Sequence, residues 1–207
     1  MKLKRWSEML LLFLGMPILV YLTITDLTTW VMPLLGLTGL ACLAVLLADN
    51  QFKRFRLWNF DGIGAHMLAA LRLFLPWACL VSIAIYMLFP DLFLALPMQA
   101  PGFWLLTLLI YPLVSVIPQE IIFRTYFFHR YKHILPSKNA RWAFSTFFFG
   151  LAHLVYGNWI AVVLSWIGGA IFGYRYMHSR STVAVVVEHS LWGSFLFTIG
   201  LGAFFLI

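Results

Sequence analysis

The chain has 207 residues, 63% of them hydrophobic and only 10% charged, against about 45–50% apolar and about 25% charged in an ordinary soluble domain. A water-soluble globule is excluded, and lipid must cover much of the surface. The net charge of +7 is scattered among short loops, not clustered on one soluble face as a nucleic-acid footprint requires.

A helix needs about 20 apolar residues to cross a bilayer. Such stretches lie near 9–25, 30–48, 68–89, 103–128, 142–157, 159–177 and 182–206. They predict an all-α polytopic membrane protein, a bundle of about seven transmembrane helices forming one integral membrane domain over 1–207. The first segment begins on basic residues like a signal peptide, but no A-x-A site follows, so it reads as an uncleaved span. Lys2, Lys4 and Arg5 precede it. Lys53, Arg54 and Arg56 follow the second span, Arg130, Lys132, Lys138 and Arg141 follow the fourth, and Arg175 and Arg180 flank the turn after the sixth. The intervening connections, Asp26 to Thr29, Pro90 to Gly102, and Gly157 to Asn158, carry no Lys or Arg. The positive-inside rule therefore puts the N-terminus in the cytoplasm and the C-terminus outside.

Cys42 and Cys79 each sit in an apolar run without a CxxC partner. A disulfide framework and a thiolate metal site are disfavoured, and both thiols are expected to be buried packing groups. Trp30, Trp104, Trp142 and Trp159 lie near span ends as interfacial anchors. Gly168, Gly169 and Gly173 are read as packing residues that let helices approach. His66, His129, His133 and His178 fall near cytoplasmic ends and are expected to be solvated.

Ionisable groups within spans are expensive and mark function. In the fourth span, PQEIIFRTYFFHRY places Glu120 and Arg124 four residues apart on one helix face, which permits an ion pair. Gln119 adjoins Glu120, and Pro118, lacking an amide hydrogen, is expected to kink the helix or widen it. The fifth span carries His153 and the seventh Glu188 and His189. A carboxylate with two imidazoles can polarise water, take its proton and return it to a leaving group. The same Glu120, His153 and His189 are the donors a divalent metal such as zinc would take, though their spacing matches no HExxH site; no cofactor is expected.

At these residues the chain resembles the CAAX protease and bacteriocin-processing family, intramembrane glutamate endopeptidases that include type II CAAX prenyl endopeptidases and lysostaphin-resistance-like proteins. The EExxxR pattern appears as Gln119, Glu120 and Arg124, the FxxxH pattern as Phe149 and His153, and the final His with Asn or Asp four residues on as His189 and Gly193. The resemblance runs from about Pro118 to Gly193 and implies a catalytic core near 103–207. It implies an endopeptidase that cleaves a membrane-associated protein: Glu120 and His153 activate water, His189 stabilises the oxyanion or protonates the leaving amine, and Arg124 orients Glu120. Two positions depart from the pattern. Gln119 replaces the glutamate that activates water, and an amide cannot act as a general base. Gly193 replaces the Asn or Asp that helps hold the oxyanion and offers no side-chain donor. A catalytically impaired member acting as a binding or immunity-type membrane protein is therefore the alternative, and a small proton-coupled transporter a third reading. The expected location is a bacterial inner membrane. Glu120, His153 and His189 are expected to converge at the base of a conical, water-filled cavity open to the cytoplasm, with the fifth helix starting late, near Phe144.

Overall fold

The computed structural model describes residues 2–23 and 30–205. These are helical, with no strand among them. Helix α1 runs over Lys2–Leu22, α2 over Val31–Ala48, α3 over Ile63–Leu88, the short α4 over Ala95–Gln99, and α5 over Pro101–Arg130. Helices α6 (Lys138–Ala152), α7 (Trp159–Ser179) and α8 (Thr182–Ile199) complete the bundle. Among the described residues six helices, α1, α2, α3, α5, α7 and α8, are long and apolar enough to cross a membrane. The segment read as a fifth span forms the 15-residue α6 and a tight 3₁₀ turn, His153–Tyr156. The connection Asp26 to Thr29 lies outside the described residues.

Local chemistry sets the helix ends. Ser137, Asn158 and Ser181 cap α6, α7 and α8, each accepting a backbone N–H from the third residue on, and so satisfy a donor with no partner inside the helix. The cap at Ser137 starts α6 at Lys138, six residues before the expected late start near Phe144. Helix α8 stops at Ile199, short of the expected 206, because Gly200 takes φ +102°, where any Cβ would also strike the Leu92 carbonyl. Along α5 the π-helical segments Pro112–Val116 and Ile121–Tyr126 flank Pro118, the widening expected of a residue that cannot complete the α-helical ladder.

The C-terminal helices pack closely through small residues. Gly169 lies against the backbone of Thr146 and the ring of Phe149, Gly173 against Trp142, and Gly150 beneath Trp166. Trp142 donates its indole N–H to the Ala170 carbonyl (2.9 Å), so it ties α6 to α7 instead of anchoring in lipid; Trp30 and Trp159 stay exposed. Helix α1 docks through Phe13, edge-on to Phe123, Phe127 and Tyr131. Its Glu8 accepts both arms of Arg130 (2.7 and 2.8 Å) and the Tyr126 hydroxyl (3.0 Å). Two expectations are corrected. Cys42 is buried, but Cys79 is exposed on α3. His129 is buried and bonded to Asp49 at the end of α2 (2.8 Å), not solvated, because α2 and α5 end side by side.

Candidate active site

Gln119 and Glu120 sit on the single α-helical turn, Ile117–Glu120, between the two π segments of α5. The Glu120 carboxylate is fully covered; one oxygen is hydrogen-bonded and the other has only an ion-pair contact. His189 Nδ1 bonds Oε1 at 2.7 Å, and Arg124 Nε lies 3.2 Å from Oε2. Arg124 is equally covered, and its guanidinium rests 4.2 Å from the Phe149 ring centroid and 5.7 Å from that of Phe172, so cation–π attraction replaces part of its lost hydration. Among the described residues its one hydrogen bond runs to the Gly169 carbonyl at 3.4 Å, and its Nε and one terminal nitrogen make none.

His189, on α8, is stacked on Phe172 of α7 with centroids 4.3 Å apart. Its Nδ1–H donates to Glu120, so its Nε2 is the nitrogen left for a substrate. His153 begins the turn after α6 and donates Nδ1–H to the Phe149 carbonyl (2.7 Å), which leaves Nε2 as an acceptor. The Phe149 ring lies 4.8 Å from His153 and 5.7 Å from His189, so the two imidazoles are no further apart than those distances combined. Gln119 donates its amide N–H to Ser115 Oγ (2.7 Å) and its carbonyl oxygen has no partner. Glu120, Arg124, His153 and His189 thus gather around Phe149 and Phe172, while Gln119, next to Glu120 in the chain, bonds Ser115.

The arrangement differs from the expectation in its enclosure. The cluster is closed where an open cone was expected: Gln119, His153 and His189 retain at most 8% of their surface. A cavity of about 150 Å³ lies instead beside α1 and α2, lined by apolar groups including Phe13, Leu35 and Phe123. Among the described residues no three His, Cys, Asp or Glu side chains come together as metal ligands. Glu188, next to His189 in the chain, accepts two bonds from Arg175 (2.7 and 3.1 Å). Ser115, Phe172 and Tyr111 border the cluster without having been singled out from the sequence, since each lies in an ordinary apolar run.

A file of polar groups leads from the cluster to one end of the bundle. Thr125 Oγ1 donates to the Glu120 carbonyl (3.5 Å) and meets Thr182 Oγ1 (2.7 Å), which bonds the Arg56 carbonyl (3.1 Å).

In comparisons with known proteins, residues 101–195, a little under half of the chain, match the family model described as "Type II CAAX prenyl endopeptidase Rce1-like". The matched segment contains Gln119, Glu120, Arg124, His153 and His189, and it bears out the resemblance read from their spacing. Searches of curated proteins and of solved structures find no match.

Proposed function

Taking residues 101–195 as a segment of the Rce1-like family of CAAX-type proteases, we propose that this protein is an intramembrane endopeptidase that hydrolyses a peptide bond of a membrane-associated protein. The observation that carries the reading is the buried hydrogen bond from His189 Nδ1 to Glu120 at 2.7 Å. A carboxylate behind an imidazole fixes its tautomer and stabilises the imidazolium, so Glu120 with Arg124 acts as the positioning pair for His189. With Oε1 bonded to His189 and Oε2 beside the Arg124 guanidinium, Glu120 is given to positioning, and the base role passes to His153 Nε2. Gln119 cannot take a proton, but its unpartnered carbonyl oxygen can accept one hydrogen of the water and orient it, as a glutamine does in other hydrolytic sites.

The water proton goes to His153 Nε2 while the water oxygen bonds the peptide carbonyl carbon. His189, carried as the imidazolium against the Glu120 carboxylate, donates its Nε2–H to the oxyanion. As the carbon–nitrogen bond breaks, the proton held by His153 is returned to the departing amine. No metal or other cofactor is needed by this scheme. The closed cluster must part for a substrate, and the π segments of α5 offer the local slack, since such segments concentrate at functional sites.

A bacterial inner membrane, seven spans and a cytoplasmic N-terminus complete the reading. Several basic residues meet at the end of the bundle where Glu8 holds Arg130, Asn59 reaches the Ser179 carbonyl and Thr182 reaches that of Arg56. This is the face the positive-inside rule assigns to the cytoplasm, and entry from that side belongs to the reading. Replacing His153 by Ala should abolish cleavage and with it any peptide terminus in the membrane proteome that depends on the protein. Unchanged termini in that variant would sink the hydrolytic reading. One observation favours a second reading, a weakened member that binds more than it cleaves: the amide of Gln119 where the family pattern has a carboxylate. In that case Gln119→Glu would create cleavage where the native chain has none.

A further inference from the structure

Gly193 lies one turn beyond His189 on α8, on the same helix face. The missing side chain does not leave a gap. A Cβ at Gly193 would collide with the hydroxyl oxygen, Cε1 and Cζ of Tyr111. The phenol end of Tyr111 therefore fills the space a longer residue at 193 would take. Its ring stands edge-on to His189, centroids 6.2 Å apart at 78°, and is held there by Phe197 at 5.2 Å and 70°. Tyr111 comes from α5, at the last α-helical position before the π segment Pro112–Val116. Among the described residues its hydroxyl makes no hydrogen bond, while the neighbouring Gln119 and His189 donors are committed to Ser115 and Glu120. Tyr111 is half-buried, so its O–H is uncommitted and not sealed off where the neighbouring donors are spent.

We propose that the Tyr111 hydroxyl is a catalytic hydrogen-bond donor to the carbonyl oxygen of the scissile peptide, standing in for the side chain absent at Gly193. The assignment rests on the hydrolytic reading above. A neutral phenol donates at physiological pH, since its ordinary pKa is about 10. As water adds to the carbonyl carbon, the carbon–oxygen double bond becomes a single bond and its electron pair settles on the oxygen. Tyr111 Oη–H and the Nε2–H of the His189 imidazolium bind that charge, and no proton leaves the phenol. Removing one donor of this kind from an acyl-transfer site costs about 10²–10³ in turnover.

The test uses the full chain in lipid nanodiscs, with two readouts. One is cleavage of a quenched library of membrane-anchored peptides. The other is affinity for a lipidated peptidyl phosphonate, whose tetrahedral anion mimics the intermediate, relative to the same peptide with an intact amide. Tyr111→Phe should lower kcat about 100-fold with KM little changed and reduce the preference for the phosphonate about tenfold or more. Gly193→Asn alone should be poor, because the Tyr111 ring occupies the space. Tyr111→Ala with Gly193→Asn should recover at least tenfold over Tyr111→Ala.

If Tyr111→Phe keeps both kcat and the phosphonate preference while His153→Ala is dead, the Tyr111 assignment falls and hydrolysis stands. If the native chain cleaves nothing, hydrolysis fails and the phosphonate preference decides Tyr111 alone. A native protein without that preference overturns the assignment.

Discussion

Two buried carboxylates in this bundle are served differently by their arginines. Glu188 is gripped by Arg175 through two bonds of 2.7 and 3.1 Å, and no fully enclosed side-chain nitrogen or oxygen of the pair is left unpartnered. Glu120 shares one 3.2 Å contact with Arg124, whose remaining capacity is spent on aromatic faces or not spent at all. Both carboxylates are completely covered, so burial alone does not separate them. A two-bond fork uses up the geometry of guanidinium and carboxylate, and such a pair ties α7 to α8. The looser pair leaves Glu120 an oxygen for His189, and Gln119 beside it keeps an idle acceptor. Unspent hydrogen-bonding capacity, not charge, distinguishes the candidate site from the staple.

The strongest way to break the comparison is to replace each pair by apolar residues. Glu120→Leu with Arg124→Met should abolish peptide cleavage, a loss of about 10²–10⁴-fold, because His189 loses its positioning carboxylate. Arg175→Met with Glu188→Leu should leave cleavage within a few-fold and stability unchanged or improved, since well-packed apolar substitutes for a buried pair are often neutral or stabilising. Equal losses of cleavage in the two double variants would erase the distinction. Removing one partner has the opposite consequence for the staple. Glu188→Ala strands Arg175 near the membrane edge and should cost about 3–5 kcal/mol of stability. Reversible unfolding in bicelles reads this directly, and a loss below about 1 kcal/mol would mean that water already reaches Arg175.

The site was more legible in the sequence than its surroundings. Glu120 and Arg124 could be paired because four residues make one helical turn, and His153 and His189 stood out as polar groups in apolar spans. What could not be read was how these groups share their bonds. Arg175 was read as a cation flanking a turn, and nothing in the spacing pairs it with Glu188. Nor does the sequence mark Glu8, which clamps α1 to Arg130 across 122 residues of chain. Tyr111 is one of eight tyrosines and nothing local marks it. The signal lay at Gly193, where a missing side chain in a packed site demands that something else fill the space.

A smaller effect sharpens the role of the idle amide. Gln119→Glu places a proton acceptor where the water is to be oriented, and cleavage should rise about tenfold, the lower end of what positioned general bases contribute being nearer a hundredfold. The second carboxylate would stand beside Glu120 in an apolar setting, and like charges there oppose each other, which holds the gain below that figure. A steady-state rate that does not change, or falls, would mean that His153 alone limits the proton transfer.

The smallest effect is expected at a third acid, Asp49, which lies outside the membrane-spanning segments at the end of α2. Its carboxylate accepts a 2.8 Å bond from buried His129 Nε2, and its side chain keeps 39% of its surface. That hydrogen bond is the main cause holding the Asp49 carboxyl below its ordinary value of 3.8, with the Gln51 backbone N–H adding to it. A carboxyl whose pKa is lowered by folding contributes stability above its unfolded value and loses it as pH falls through the folded one. The contribution is therefore present at neutral pH and fades below 3.8. An ion pair this exposed contributes less than about 1 kcal/mol. Thermal unfolding of the native chain and of Asp49→Asn, each at pH 7 and pH 3 in one detergent, separates this group from other acids that titrate in the same interval. The native chain should lose slightly more stability on acidification than the variant, and cleavage at pH 7 should be the same in both. Identical acid sensitivity would mean that the Asp49–His129 contact couples α2 to α5 through shape alone, with Phe52 packed edge-on against the imidazole at 5.1 Å supplying the hold.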